Sequence, residues 1–181
     1  MDKGAEYYSR YLDGDDEGLV LLVRDYKDGL ILYINGICKN IHTAEDVCED
    51  TFVRLVTKRP AYNGKASFKT WLYTMARNLA YDELRRRRAD VSANGLEIPS
   101  DISIEDAYAE DERRAAVRRL VGFLQPMQRE AVWLTYFEGL TVKETAKIMK
   151  KSENAVSALL NRAKQSLKQM LIKEGITGED V

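Results

Sequence analysis

Thr141-Val-Lys-Glu-Thr-Ala-Lys-Ile-Met-Lys-Lys-Ser-Glu-Asn-Ala-Val-Ser-Ala-Leu-Leu-Asn-Arg-Ala-Lys-Gln-Ser-Leu167 is the stretch that decides the fold. Thr141 and Glu144 stand at capping-box spacing, so a helix opens there. That short helix carries Val142, Ala146 and Ile148. Lys150-Lys151-Ser152 reads as a turn, with Ser152 a good N-cap for a longer helix from about Glu153 to Ile172. A short capped helix, a tight turn and a longer helix make a helix-turn-helix. Small Ala146 lets the two helices approach, and Val156 and Leu160 pin the second to the first. The outward side chains are then Asn154, Ser157, Ala158, Asn161, Arg162 and Lys164. Asn and Arg can read base edges, while Lys and Arg hold phosphates. A helical hairpin that only packs has the same pattern; the surrounding charge weighs against it.

That charge is unevenly spread. The chain nets −1 over 181 residues. Residues 113–181 net +6, residues 89–112 net −8 and residues 1–88 net +1. The basic end suits a polyanion. The acidic stretch holds Gly95 and Pro99 and lacks a sustained apolar period, so it reads as a linker, extended or partly disordered. Between linker and helix-turn-helix, Ala116, Val117, Leu120, Val121 and Leu124 make one helix. Pro126 suits the first turn of the next, which carries Val132, Trp133, Tyr136 and Phe137 and stops at Gly139.

Ahead of the linker three stripes have helical spacing. Leu19, Leu22, Val23, Tyr26, Leu30, Ile34 and Ile37 form the first, with Asp15 or Asp16 as its cap. Ala44, Val47, Thr51, Phe52, Leu55 and Val56 form the second, with Thr43 and Asp46 as a variant capping box. Phe68, Trp71, Leu72, Met75, Ala76 and Leu79 form the third, after the turn signal Pro60-Ala-Tyr-Asn-Gly64. No alternating strand pattern stands out. The class is all-α: two small helical domains, 15–88 and 113–173, joined by the acidic linker 89–112.

Two further clusters ask for partners. Arg85 to Arg88 close the third helix, with Lys65, Lys69 and Arg77 upstream. One or two arginines would satisfy the helix dipole; four in a row repel unless an anion is near. Tyr62, Trp71, Tyr73 and Tyr81 interleave with them, a composition that can hold unstacked nucleotides, although Trp71 at helical spacing also fits the core. On the second helix, Glu45/Glu49 and Asp46/Asp50 are like-charge pairs four apart, each costing a few tenths of a kcal/mol. They are a solvated acidic face or a docking face for a basic partner.

Other classes find little support. No apolar run approaches the ~20 residues of a membrane span. The first 16 residues are polar and acidic, unlike a secretory signal. Cys38 and Cys48, without Cys-x-x-Cys spacing, suit a reducing cytoplasm. His42 is the sole histidine. No metal-ligand cluster, Gly-rich phosphate loop or nucleophile–base pair appears, so neither a cofactor nor an enzyme is expected.

These pieces, in this order, resemble the extracytoplasmic-function (ECF) group of bacterial sigma factors of the sigma-70 family, over roughly residues 18–172. Asp46-Val-Cys-Glu-Asp-Thr-Phe-Val-Arg54 looks like the family segment that binds the clamp helices of RNA polymerase. The resemblance thus assigns Asp46, Glu49, Asp50, Phe52 and Arg54 to core-polymerase binding. Phe68-Lys-Thr-Trp-Leu-Tyr-Thr-Met-Ala-Arg-Asn78, followed by Asp82 and Arg85 to Arg88, looks like the helix that recognises and melts the minus-ten element. It implies single-stranded DNA contacts by Lys69, Arg77, Asn78, Arg85, Arg86, Arg87 and Arg88. Asn63, Lys65 and Ser67 of the preceding loop would hold a flipped-out base. Phe137-Glu-Gly-Leu-Thr-Val-Lys-Glu-Thr-Ala146 looks like the start of the helix-turn-helix that reads the minus-thirty-five duplex, which points to Lys143, Asn154, Ser157, Asn161, Arg162 and Lys164. The linker would thread through the polymerase toward the RNA path. Implied partners are core RNA polymerase, promoter DNA and an anti-sigma regulator. One departure stands out: Ala155-Val-Ser-Ala-Leu159 replaces a frequent Thr-Val-Lys-Ser-Arg, which removes two bases and leaves Leu159 as a candidate partner contact. Two alternatives stay open: a dimeric helix-turn-helix regulator that is no polymerase subunit, and a helical adaptor.

Overall fold

The computed structural model describes residues 2–94 and 112–173. All regular structure among them is helical, in two compact units either side of residues 95–111. The first unit holds α1 (Lys3–Leu12), α2 (Glu17–Cys38), α3 (Ile41–Lys58) and α4 (Phe68–Asn94). The second holds α5 (Glu112–Gly122), α6 (Pro126–Val132), α7 (Val142–Met149) and α8 (Glu153–Lys173).

In the first unit α2, α3 and α4 pack on one another, and α1 lies against α2 and α4. Leu22, Leu30 and Ile34 of α2, Ala44 and Leu55 of α3, and Phe68, Leu72, Ala76 and Ala80 of α4 are fully shielded from water. Tyr73 is buried as well, although it lies off the apolar stripe of α4. The cause is that α4 meets three helices, so more than one of its faces is covered. Helix α1 was not part of the expected domain, which began at residue 15. It buries Tyr8 and Tyr11. Gly18 lets α1 and α2 touch backbone to backbone: a Cβ there would overlap the Tyr7 carbonyl and sit 2.7 Å from the Tyr11 nitrogen.

Helix starts show where local sequence misleads. Thr43 does not cap α3; Asn40 does, with Oδ1 accepting from the Thr43 amide and the Thr43 hydroxyl, both at 2.9 Å. Thr43 therefore sits one turn inside, buried. At α2 the Glu17 amide donates to Asp15 Oδ1 at 3.1 Å, while Asp16 makes no capping bond. The linker was expected from residue 89, yet α4 continues to Asn94. Ion pairs from Glu83 to Arg86 and Arg87, three and four residues on, support the turns just before that stretch. The linker residues 95–111, Gly95 and Pro99 included, lie outside the described residues.

The second unit is built around Val121, Leu124, Val132 and Ala163, with Phe137, Leu160, Leu167 and Met170 packed against them. Val117, expected in this core, is 48% exposed: α5 presents Leu120 and Val121 inward instead. Pro126 opens α6. Helix α6 then widens into a π-helical turn, Trp133–Phe137. There the Glu138 amide donates to the Trp133 carbonyl at 3.1 Å, five residues back. Trp133 and Phe137 stack at 4.5 Å across that turn, with the Arg118 guanidinium 5.7 Å from each ring. Gly139, at φ +67°, ends the segment.

Candidate nucleic-acid interface

The loop before α4 is held by its own side chains. Asn63 Oδ1 accepts from the Lys65 amide at 3.1 Å, a local turn completed by Gly64 at φ +68°. The Tyr62 hydroxyl donates to the Ala66 carbonyl at 2.5 Å. Ser67 caps α4: its Oγ accepts from the Thr70 amide at 3.3 Å and lies 2.8 Å from Thr70 Oγ1. Asn63 and Lys65 are exposed, whereas Ser67 is half-buried and occupied by its capping role. Beneath the loop, Tyr8, Tyr26, Tyr62, Phe68 and Trp71 form one aromatic cluster, with neighbouring centroids 5.3–5.8 Å apart. Trp71 is half-buried within it, so it is first a core residue. Burial in this cluster pushes the Tyr26 hydroxyl up to about 12.

Along α4 the cations meet rings and carboxylates. Lys69 lies 5.5 Å from the Tyr73 centroid and Arg77 4.5 Å from that of Tyr81. Arg77 and Asn78 are half-buried. The arginine run is not bare: Arg85 pairs with Asp82, and Glu83 takes both Arg86 and Arg87, the latter at 2.7 Å. The Arg85–Asp82 pair is exposed on both sides and worth about 0–1 kcal/mol, so an incoming phosphate can displace it cheaply, whereas Glu83 is half-buried between its two arginines. Arg88 is exposed.

On α3, Asp46, Glu49, Asp50 and Arg54 are exposed along one side. Phe52 is not with them. It is 8% exposed, because helical spacing sets it beside Cys48 and Leu55 on the buried face. The apolar residues α3 does present outward are Val53, 46% exposed, which breaks the core stripe, and Val56, 39% exposed, which the spacing had set within that stripe.

In the second unit both halves of the α7 capping box are formed. Thr141 Oγ1 accepts from the Glu144 amide, and Glu144 Oε2 accepts from the Thr141 amide at 3.0 Å. Lys150, left-handed at φ 54°, makes the turn, and Ser152 Oγ accepts from the Ala155 amide at 3.2 Å to cap α8. Val156 is fully buried and Leu160 joins the core. This leaves Asn154, Ser157, Asn161, Arg162 and Lys164 exposed on α8 and Lys143 on α7. Lys150 and Lys151, exposed at the α8 N-terminus, extend this basic rim. In the sequence they stand out only as turn residues.

Among the described residues no group of three or more His, Cys, Asp or Glu side chains could hold a metal ion, and no helix is long and apolar enough to cross a membrane. The two thiols stand alone. Burial pushes Cys38 up to about 11 and Cys48 to about 12, so neither is a ready nucleophile.

Comparison with known proteins agrees with both units. Residues 22–89 match the family model for Sigma-70 region 2, and residues 114–167 that for Sigma-70, region 4. The ECF RNA polymerase sigma factor BldN of Streptomyces coelicolor is 33% identical over 172 residues, 92% of this chain and 65% of the relative. The ECF RNA polymerase sigma factor SigW of Bacillus subtilis is 25% identical over 170 residues, 87% of this chain and 91% of the relative. The chain thus spans just under two thirds of the length of BldN and most of that of SigW. Among solved structures, the sigma factor RpoE from Bartonella quintana, in complex with the anti-sigma factor NepR, shares the fold. Its TM-score is 0.71 at 23% identity, over 82% of this chain and 93% of that one. With region 2 and region 4 in order along one chain, and ECF sigma factors as its relatives, the protein belongs to the ECF group of the sigma-70 family of RNA polymerase sigma factors.

Proposed function

We propose that this chain is the promoter-recognition subunit of a bacterial RNA polymerase. The first unit binds core polymerase and captures the single-stranded minus-ten element; the second reads the minus-thirty-five duplex. The observation that carries this reading is the pairing, within one chain, of a braced loop leading into an arginine-rich helix with a capped helix-turn-helix.

The division of labour follows from chemistry. Asp46, Glu49, Asp50 and Arg54 on α3, with Val53 among them, offer a charged face with an apolar centre to the polymerase. Asn63 and Lys65 at the loop tip, with Lys69, Arg77, Asn78 and Arg85 to Arg88 along α4, follow an unwound strand. Extruding a base costs a few kcal/mol; binding it only once extruded offsets that cost without ATP. Lys143, Asn154, Ser157, Asn161, Arg162 and Lys164 meet the major groove. The recognition helix lacks cations at Ser157 and Leu159, so duplex binding by this unit alone is weak and depends on the polymerase to add contacts. That dependence favours the sigma reading over a free-standing regulator. No cofactor enters the scheme, and the chain works wherever the polymerase does. By analogy with the RpoE–NepR pair, we assign it a protein regulator that covers these faces when promoters are to stay silent.

Reconstituted transcription tests the proposal. Core bacterial RNA polymerase is given this chain and fragmented DNA from the source genome. Discrete start sites with two shared upstream elements are expected. No specific transcripts, together with no binding to core polymerase, would overturn the reading; tight operator binding without polymerase would favour the regulator.

A further inference from the structure

Helix α1 lies outside the stretch that matches the region 2 family model, which begins at residue 22, and it holds none of the residues assigned to polymerase or DNA. Its bonds run to the two ends of the loop before α4. At the entrance, the Tyr8 hydroxyl donates to the Pro60 carbonyl at 2.8 Å. At the exit, Asp2 Oδ2 accepts from the Phe68 amide at 2.6 Å. The other oxygen of the same carboxylate, Oδ1, accepts from the Ala5 amide at 3.2 Å. One carboxylate therefore caps two helices, α1 and α4, whose N-terminal dipoles both favour its negative charge. The Tyr62 hydroxyl lies 3.5 Å from Asp2 Oδ2. Gly4 makes the approach possible, because a Cβ there would lie 2.5 Å from Phe68 Cδ1 and 2.6 Å from the Tyr26 hydroxyl.

We propose that α1 is a brace for the DNA-capturing loop, with Asp2 and Tyr8 as positioning residues that fix its two ends before DNA arrives. The inference rests on the reading of Asn63 to Ser67 as a site for single-stranded DNA. A loop anchored at both ends has already lost most of its backbone freedom, so ordering it no longer opposes binding. Neither Asp2 nor Tyr8 needs to touch the strand. The arrangement also explains why the cap is an aspartate: asparagine has one acceptor oxygen, and its amide nitrogen cannot accept from a backbone N–H. It can cap α1 or α4, not both.

The test uses the full chain carrying Asp2→Asn or Tyr8→Phe. In the free protein, amide hydrogen exchange over 61–67 should speed up about tenfold, the equilibrium equivalent of one lost cap. Amides in the middle of α2 and α3 should keep their protection. In the holoenzyme, the probe is a single-stranded oligonucleotide with the non-template minus-ten sequence of a promoter mapped by the transcription experiment. Its affinity should fall about tenfold, with affinity for core polymerase unchanged. Unaltered exchange and oligonucleotide affinity in both variants would overturn the proposal. So would a parallel loss of loop protection, α2 and α3 protection and core affinity, which marks a general loss of stability. If the wild-type holoenzyme itself fails to hold the oligonucleotide, the promoter reading falls and takes this role with it.

Discussion

Thr141→Ala is expected to lower the melting temperature of the C-terminal unit by a predictable amount. Three hydrogen bonds make up the box: Thr141 Oγ1 accepts from the Glu144 amide at 3.2 Å and donates to Glu144 Oε2 at 2.8 Å, and that carboxylate accepts from the Thr141 amide at 3.0 Å. Alanine removes the first two. All three are exposed, so water re-solvates the freed groups, and the cost stays near the typical ~1 kcal/mol of a lost N-cap. For a unit of this size that shifts the midpoint by about 4–8 °C. The chain has two tryptophans, Trp71 in the first unit and Trp133 in the second. In a Trp71→Phe background, fluorescence therefore follows the second unit alone. Thr141→Ser keeps the hydroxyl and should melt within a degree or two of the parent, by the small cost of exposed substitutions. The Thr141→Ala/Glu144→Ala double variant should lose less than the sum of the two singles, because both remove the hydroxyl–carboxylate bond. An unshifted midpoint in Thr141→Ala, or strict additivity in the cycle, would refute the claim that this box holds α7 in place.

Two other outcomes follow from the geometry. Replacing Arg85 and Arg86 by Gln should flatten the salt dependence of promoter binding by about 0.7–0.9 log units of slope for each phosphate that is no longer neutralised; an unchanged slope would mean that these side chains serve only Asp82 and Glu83. Stability should also decline in alkali. Burial raises Cys38 to about 11, and Cys48 and Tyr26 to about 12, so above about pH 9 the unfolded chain binds fewer protons than the folded one. The stabilisation is complete below the unfolded values and is lost as pH rises toward 11–12. A urea midpoint that holds steady from pH 8 to about pH 10.5 would contradict this.

The residues whose neighbours lie within one or two helical turns were readable from sequence. Thr141 and Glu144, Ser152 and Pro126 obey local rules, and each sits in the structure as those rules require; on α2 the stripe places Leu22, Leu30 and Ile34 in the core, while Ile31, Tyr33 and Asn35 are buried outside it. Most of what escaped depends on distant partners. Helix α1 is only ten residues long, too short for its period to stand out, and Tyr8 and Tyr11 are core residues only because α2 and α4 cover them. Asn40, itself a strong N-cap residue, takes that place from Thr43 because the chain turns left-handed at Lys39, φ 54°, and α3 starts earlier than the apolar stripe suggests. Phe52 shows a different limit. A helical residue faces one way, so membership of the apolar stripe already excluded it from the outer face. The resemblance names a segment, and only burial separates the side chains within it. On α4, by contrast, Asp82 and Glu83 stand beside the arginines in the sequence and read as their structural partners, and they do pair with residues three and four positions on.

The π-helical turn in α6 has a consequence for how this protein tolerates change in length. Such a turn is an α-helix that has absorbed one extra residue. Deleting one residue from Trp133–Phe137 would restore ordinary winding and leave the exit of the chain nearly where it is. The same deletion in the regular turns of Pro126–Val132 would swing everything downstream by about 100° and slide it by about 1.5 Å along the axis, so that Gly139 and Thr141 leave on the wrong side of α6 and take α7 with them. The wide turn is thus a buffer of length, and a one-codon deletion within it should be far milder than one in the helix before it.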